Sequence, residues 1–327
     1  MTGETNLRLS AEEAAAAGEK LGAVVKNVEQ VIIGKRNAIE LVLTALVAGG
    51  HVLIEDVPGV GKTSLVSAVA RSVDCAFQRI QFTPDLMPSD VTGFSIYNQK
   101  SGEFEFRPGG VMSNLVLADE INRASAKTQA ALLEAMEERQ VTVDSHTYPL
   151  EQPFLVLATQ NPVESFGTYP LPEAQLDRFM LKLSMGYPSL EEETQVLTMP
   201  RRRKQQLTPA VTRAEVLELG AQAGRVYVAP ALARYIAEIV QATRSSADTV
   251  LGSSPRGGIA LYNAAQAWAL LRGRAYVLPD DVKYLAPYIL CHRLTLSHEA
   301  KLSKRTAKDV VQTVLDSVLV PTGESQA

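Results

Sequence analysis

The feature that most constrains this chain is a short apolar run followed directly by a glycine-rich turn and a helix. Residues 51–54 (HVLI) have the character of a buried strand, and the turn at residues 55–63 reads EDVPGVGKT. A helix is expected from about residue 62 to residue 73. A strand that enters a helix through such a turn is typical of a parallel α/β sheet, so further strands and helical crossovers must follow.

The turn contains the residues that a phosphate-binding loop needs. Its last three positions, Gly61-Lys62-Thr63, match the end of the pattern G-x-x-x-x-G-K-[ST]. Gly59 and Gly61 let backbone N–H groups face phosphate oxygens, and Lys62 reaches the β- and γ-phosphates. The hydroxyl of Thr63 can hold magnesium, and the positive end of the following helix faces the same anion. The sequence therefore predicts a site for ATP with Mg²⁺, formed by Pro58, Gly59, Val60, Gly61, Lys62, Thr63 and Ser64.

One position departs from the standard loop pattern. Asp56 stands where the first glycine is usual. Aspartate tolerates a positive φ better than most residues, so a tight turn is still compatible with this residue. The negative charge of Asp56 must then point away from the phosphates.

Two later strands end in polar side chains. Residues 114–119 form an apolar run that delivers Asp119 and then Glu120, and residues 154–159 form another that leads to Asn161. Ligands of parallel α/β sheets bind at the carboxyl ends of strands, so these side chains should meet the bound nucleotide. We predict that Asp119 holds magnesium and that Glu120 is the general base for water. If the strand before Asn161 lies between the other two, Asn161 orients that water. This arrangement predicts an Mg²⁺-dependent ATP hydrolase.

The remainder of the first half fits a three-layer α/β domain with additions. Two helices are expected before the first strand, at residues 10–31 and 38–48, and another at residues 126–138. Alternating apolar residues around turn sequences predict two β-hairpins, at residues 93–107 and 140–150.

The sequence changes character near residue 188. Beyond it, helical patterns dominate to about Val320, and Ser254-Pro255 is a typical helix start that leads into an apolar stripe ending at Leu271. We therefore predict an α/β domain over residues 1–187 and a small all-helical domain over residues 188–327.

Composition indicates the setting. The chain has 32 basic and 36 acidic residues, a net charge of −4, so no overall positive field attracts nucleic acid. Its two cysteines are too few for a disulfide framework. We see no signal peptide and no apolar run long enough to span a bilayer. A cytoplasmic location without membrane insertion is expected.

The order of these motifs, from phosphate loop to helical tail, resembles that of AAA+ ATPases. Four phrases resemble the MoxR family closely, and the similarity extends from about Val31 to Val320. They are VPGVGKT at 57–63, DEINRA at 119–124, LLEAMEE at 132–138 and LPEAQLDRF at 171–179. The two hairpins match inserts of the AAA+ group that contains MoxR, magnesium chelatase and MCM helicases. The resemblance implies an AAA+ domain followed by a helical lid.

The resemblance also implies roles for single residues. It makes the asparagine at the strand tip the sensor 1 residue. Arg178 is implied to be an arginine finger that reaches the ATP of a neighbouring subunit, and Arg256 to be a sensor 2 residue near the γ-phosphate. Arg123 is a weaker candidate for an intersubunit contact. Adenine is implied to lie against apolar side chains and backbone of the stretch Val31-Ile32-Ile33-Gly34.

The resemblance implies a ring, commonly a hexamer, that acts as a chaperone-like remodeller of protein complexes. Its implied partners are von Willebrand factor A-domain proteins, and no nucleic acid is expected. A nucleic-acid motor of the MCM type is an alternative that the net charge disfavours. A subunit resembling a metal chelatase is a second alternative. A small-molecule kinase is a third, although a base, a sensor and arginines suit attack by water better.

Overall fold

The computed structural model describes residues 8–57, 59–161, 168–198 and 207–321. The strands of these parts are β1 (Val52–Glu55), β2 (Phe77–Gln81), β3 (Gly93–Asn98), β4 (Glu103–Pro108), β5 (Leu115–Asp119), β6 (Gln140–Val143), β7 (His146–Pro149), β8 (Leu155–Gln160), β9 (Leu181–Leu183), β10 (Thr249–Leu251) and β11 (Thr295–Leu296). The helices are α1 (Ala11–Glu29), α2 (Arg36–Val47), α3 (Lys62–Ser72), α4 (Pro88–Thr92), α5 (Ala126–Glu138), α6 (Glu173–Leu176), α7 (Leu190–Thr198), α8 (Arg213–Ala223), α9 (Pro230–Ser245), α10 (Pro255–Leu271), α11 (Pro279–Leu290), α12 (His298–Leu302) and α13 (Ala307–Ser317).

Five strands form one sheet in the order β2-β5-β8-β1-β9, with every neighbouring pair parallel. Strand β1 lies between β8 and β9, so that Leu53 is opposite Ala158 on one side and Lys182 on the other. The carboxyl ends of β1, β5 and β8 therefore meet along one side of the sheet, which we call the carboxyl edge. The amino ends of the strands meet along the opposite side, which we call the amino edge. The prediction of a parallel α/β domain is confirmed.

The sequence patterns missed two strands of this sheet, β2 and β9. Strand β2 lies at the edge and includes Gln78, Arg79 and Gln81, so its apolar pattern is weak. Strand β9 is the opposite edge and has only three residues. Edge strands need little apolar surface, and their pairing becomes visible only with the neighbouring strand in place.

Helices cover both faces of the sheet, which gives the three predicted layers. On one face Ile54 and Leu117 pack in a buried cluster with residues of α1, α2 and α3. On the other face Leu53 and Val116 pack with residues of α5, among them Leu133. Alternate residues of one strand point to opposite faces, so a strand buried on both sides is continuously apolar.

Both predicted hairpins are present as separate antiparallel pairs, β3 with β4 and β6 with β7. They contact each other through Phe106 and Tyr148, whose rings stack with centroids 3.9 Å apart and planes 10° apart. The exposed side chains on the first hairpin include Phe94 and Phe104.

The second half is a helical lid. Its long helix α10 begins as predicted, because the Ser254 hydroxyl accepts from the Arg256 amide at 3.1 Å and Pro255 occupies the first turn. This helix packs against α1 and α2 within the cluster that also covers the sheet. The lid is not purely helical, since β10 and β11 form a short antiparallel pair. Among the described helices, none has both the length and the apolar character that crossing a membrane requires.

Candidate active site

The phosphate loop follows β1, and α3 begins at Lys62. Gly59 and Gly61 have φ of 88° and 93°, a left-handed backbone that favours glycine. A Cβ atom at either position would meet nothing within 4 Å, so the requirement for glycine comes from the backbone angle and not from crowding. Pro58 lies outside the described residues.

Asp56 is fastened to the end of β9. Its buried carboxylate accepts hydrogen bonds from the Ser184 hydroxyl at 3.0 Å, the Gly186 amide at 3.3 Å and the Met185 amide. The charge points away from the loop cavity, as the sequence required. The tolerance of aspartate for a positive φ is not used here, since Asp56 is not among the described residues with a left-handed backbone. Its amide instead continues the sheet by donating to the Gln160 carbonyl at 3.3 Å.

Most of the residues predicted to bind or hydrolyse ATP line one cavity of about 330 Å³ at the carboxyl edge of the sheet. The Lys62 ammonium donates to the Asp56 carbonyl of its own loop at 3.0 Å. Val60 is only packed against the core nearby. The residues that line this cavity, called the phosphate cavity below, are Gly59, Gly61, Lys62, Thr63, Ser64, Arg79, Asp119, Glu120 and Asn161.

The Asp119 carboxylate is held on both oxygens. Oδ1 accepts from the Thr159 hydroxyl at 2.6 Å, and Oδ2 accepts from Nη2 and Nε of Arg79 at 2.6 and 3.1 Å. The Thr159 hydroxyl also accepts from the Glu120 amide at 2.8 Å. One threonine on β8 therefore fixes the backbone of Glu120 and the side chain of Asp119 together.

Glu120 occupies a left-handed backbone, with φ of 57°. Such a conformation is uncommon for a residue with a side chain, and strained residues cluster at functional sites. Its Oε2 accepts from Gln81 at 3.0 Å and from Arg123 at 2.9 Å. Arg123 is thus engaged with Glu120 of its own chain, and its intersubunit contact stays a prediction.

Sequence reasoning missed Arg79, Gln81 and Thr159. Arg79 and Gln81 lie on β2, whose pairing with β5 places Gln81 beside Asp119. In the sequence, Arg79 and Gln81 are only two polar residues at alternate positions, a pattern that is common in edge strands and does not indicate a site. Thr159 was counted as part of an apolar strand, although a threonine at a strand end was a signal for a hydrogen bond.

The predicted adenine contacts are not all brought to the loop. Val31 lines a smaller cavity of about 200 Å³ together with Thr63 and Ser64 of the loop helix. Gly34 lies against α7 instead, because a Cβ built on it would come within 1.8 Å of the Glu192 carboxylate. Ile33 lines neither this cavity nor the phosphate cavity. The contacts of Ile33 and Gly34 with adenine stay predictions.

Arg178 and Arg256 lie far from the phosphate loop of their own chain. They line a cavity of about 460 Å³ with His51, which comes just before β1, whereas the phosphate cavity lies just after β1. The four residues of β1 span about 13 Å at the usual rise of a strand. The two arginines therefore lie at the amino edge of the sheet, where the strands begin. We call their cavity the arginine cavity.

Both arginines bind one carboxylate. Arg178 Nη2 lies 2.9 Å from Glu137 Oε2, and Arg256 Nη2 donates to Glu137 Oε1. Arg178 comes from the segment between α6 and β9, Arg256 from the first turn of α10, and Glu137 from the last turn of α5. The structure thus brings the predicted finger and the predicted sensor 2 together, apart from Lys62.

His51 lines the arginine cavity and is hydrogen-bonded to the core of the domain. It is buried, its Nδ1 accepts from the Val156 amide at 3.0 Å, and its Nε2 is 3.1 Å from the Met136 carbonyl. A backbone amide can only donate, so the neutral ring carries its proton on Nε2. Burial lowers the pKa of His51 to about 4, although the hydrogen bond to Met136 opposes the shift.

Known proteins resemble both halves of the chain. Residues 51–181 match the model of the ATPase family associated with various cellular activities, and residues 241–314 match that of the AAA lid domain. The chain is 55% identical over 307 residues to the uncharacterized protein YeaC of Bacillus subtilis, covering 93% of this chain and 96% of that protein.

Two further comparisons extend over nearly the full length. The chaperone MoxR1 of Mycobacterium tuberculosis is 42% identical over 320 residues, which cover 95% of this chain and 85% of that protein. A solved structure from Cytophaga hutchinsonii, described as a candidate ATPase, superposes with a TM-score of 0.89 at 42% identity, covering 95% of this chain and 98% of that one. The chain therefore belongs to the MoxR family of AAA+ ATPases.

Proposed function

We propose that this ATPase binds ATP with magnesium in the phosphate cavity and hydrolyses it by activating a water molecule. The observation that carries the proposal is the meeting of five groups in that cavity: Lys62, Thr63, Asp119, Glu120 and Asn161. Lys62 binds the β- and γ-phosphates, the glycine backbone faces the phosphate oxygens, and Asn161 orients the water.

The oxygen donors of the cavity suit magnesium. The Thr63 hydroxyl and the Asp119 carboxylate are hard oxygen ligands. Among the described residues there is no group of three or more His, Cys, Asp or Glu side chains that could hold a metal ion. Phosphate oxygens and water would therefore supply the other ligands. That division is usual for magnesium at nucleotide sites, where the ion neutralises charge on the β- and γ-phosphates. The Arg79 guanidinium on Asp119 must move or share that carboxylate with the ion's water shell.

The Glu120 side chain is positioned by hydrogen bonds in a way that suits a general base. Among the described residues, both of its side-chain hydrogen bonds go to Oε2, from Gln81 and from Arg123. This leaves Oε1 to accept a proton from water while the carboxylate keeps its position. Removing the negative charge should stop hydrolysis but leave the phosphate-binding groups in place.

Completion of the site requires a second subunit. Arg178 and Arg256 lie at the amino edge of the sheet, and the phosphate cavity lies at the carboxyl edge. A head-to-tail contact, which closes into a ring, brings these two different surfaces of neighbouring chains together. The arginines then face the γ-phosphate of the neighbour, where charge develops during transfer. We take a hexamer as the ring, as the family resemblance implies.

The work done by hydrolysis is chaperone-like. MoxR1, a relative that aligns with nearly all of this chain, is named a chaperone. We propose that the ring remodels, assembles or activates protein complexes, and that its partner contains a von Willebrand factor A domain.

The experiment compares Lys62→Ala with Glu120→Gln. The first variant should lose tight ATP binding, and the second should bind ATP but barely hydrolyse it. Glu138→Gln, an exposed glutamate at the end of α5, is the matched control and should behave like the wild type. Near wild-type turnover by Glu120→Gln would show that the base has been misassigned. The ATP-bound Glu120→Gln ring is also the bait for the partner, and a von Willebrand factor A-domain protein should be retained only with ATP.

A further inference from the structure

The geometry points to Glu137 as a positioning residue that holds Arg178 and Arg256 as one pair, ready for the phosphate of the neighbouring subunit. This inference rests on the proposed function, in which the two arginines act on a neighbour's ATP. It adds a third residue, on a third segment of the chain, that touches neither the nucleotide nor the water.

The contacts divide the carboxylate evenly. Arg178 binds Oε2 and Arg256 binds Oε1, so each guanidinium uses one nitrogen on Glu137. A guanidinium has five N–H donors in a fixed plane, and those not used on Glu137 can still bind phosphate oxygens. Glu137 can therefore stay in place while the pair binds an anion. The side chains of Arg178 and Arg256 are 30% and 53% exposed, so the pair is accessible to an anion.

The other charged groups that line the arginine cavity form hydrogen bonds with partners other than Glu137. Arg293 is buried and binds Asp177 at 2.8 Å, and the Ser254 hydroxyl also donates to Asp177 at 2.9 Å. Arg139 donates to the Gly49 carbonyl at 3.0 Å. Of the two carboxylates that line the cavity in the described part of the chain, Glu137 is the one that binds both arginines.

The charge of Glu137 decides the spacing of the pair. Two guanidiniums without a shared carboxylate repel each other and move apart, because like charges at a few ångströms interact strongly at a partly exposed site. With four arginines and two carboxylates, the cavity still keeps a positive balance that attracts phosphate.

Glu137 also connects the two halves of the chain. Arg178 belongs to the segment that leads into β9, and Arg256 belongs to the first turn of the lid helix α10. One carboxylate on α5 thus fixes the lid arginine relative to the finger. A displacement of about 1 Å of a catalytic group can cost about a hundredfold in rate. Loss of Glu137 should therefore lower turnover without weakening ATP binding.

The test uses full-length rings of Glu137→Gln, which keeps the shape of the side chain and removes its charge. We expect turnover to fall about 10- to 100-fold, with ATP affinity within about twofold of the wild type. Glu138→Gln, the next residue on the helix, is the matched control and should change neither. Ring size and thermal stability are measured on the same samples, since a merely structural role would change them.

A second arm asks whether Glu137 acts through the arginines. Adding Glu137→Gln to the Arg178→Ala, Arg256→Ala double variant should give no further loss of turnover. A further loss of the same size would overturn the inference, because Glu137 would then act independently. Unchanged or faster turnover in Glu137→Gln alone would also overturn it. If the arginine double variant itself turned over ATP at the wild-type rate, the proposed intersubunit site would fail first, and the inference with it.

Discussion

The two edges of the central sheet are built in different ways. At the carboxyl edge, the phosphate cavity is formed by the loop and helix start after β1, by Asp119 and Glu120 at the end of β5, by Asn161 after β8, and by Arg79 of β2. At the amino edge, the arginine cavity is assembled from α5, the segment before β9, and the lid helix α10. In the proposed function, the first edge binds and activates ATP with groups of one chain. The second would supply positive charge to the nucleotide of a neighbour, so that each edge would be incomplete without another subunit.

The largest expected effect is on turnover, and it distinguishes the amino edge from the carboxyl edge, where ATP affinity is set. Arg178→Ala should reduce turnover by about 10³-fold or more, because an arginine finger is worth 10³–10⁵ in rate. Its ATP affinity should stay near the wild type, since the arginine lies away from the phosphate cavity. Turnover and nucleotide binding are measured side by side, with the exposed Arg234→Ala as control. A parallel loss of ATP affinity would contradict the separation of the edges.

A smaller effect concerns how the phosphate loop is anchored. Asp56→Gly restores the standard loop pattern, yet we expect it to destabilise the fold by roughly 2–3 kcal/mol. The reason is that the amides of Met185 and Gly186 would lose their acceptor. Asp56→Asn keeps one acceptor oxygen and should lose less. Thermal unfolding measures both, and an unchanged or raised Tm in Asp56→Gly would show that the anchor is unimportant.

A change of several-fold is expected at the magnesium end of the phosphate cavity. Arg79 binds Oδ2 of Asp119, the carboxylate that we propose as a ligand of magnesium or its water. Arg79→Gln should therefore lower the magnesium concentration needed for half-maximal turnover by roughly fivefold, about 1 kcal/mol. Arg107→Gln on the first hairpin is the control. A higher magnesium requirement would mean that Arg79 supports the ion or the phosphates instead.

The smallest effect is a pH dependence that belongs to the amino edge. His51 is buried and neutral, with its pKa lowered from 6.5 to about 4, so acid favours the unfolded chain. Stability should be complete above pH 6.5 and fall as the pH drops toward 4. We expect His51 to contribute a loss of about 1 kcal/mol between pH 7.5 and 6. Burial also lowers the pKa of His292, which adds to the loss of the wild type in the same direction.

The control for this effect replaces the histidine. In His51→Gln the loss between pH 7.5 and 6 should shrink, because that titrating group is gone. His146→Gln, which changes an exposed histidine on the second hairpin, should keep the wild-type slope. Denaturant unfolding at each pH gives the free energies. Identical slopes for all three proteins would contradict the assignment to His51.

The same contrast explains what the sequence could predict. Lys62, Asp119 and Asn161 each follow a recognisable strand, so their meeting at one edge follows from the parallel sheet alone. Glu137 is one glutamate among several on an ordinary helix, and its role depends on contacts 41 and 119 residues away in the chain, from Arg178 and Arg256. No local pattern carries such information. The resemblance named both arginines, but only the fold places them on one carboxylate.

The central claim is that the two edges of neighbouring chains form one active site, and mixed rings test it most directly. Glu120→Gln subunits cannot hydrolyse but can lend Arg178, whereas Arg178→Ala subunits keep their own Glu120 but cannot lend a finger. Rings shown to contain both should recover activity above either variant alone. A mixture of Glu120→Gln with Lys62→Ala, whose defects lie on the same edge, should not recover. Absence of recovery in the first mixture, or equal recovery in both, would contradict the account.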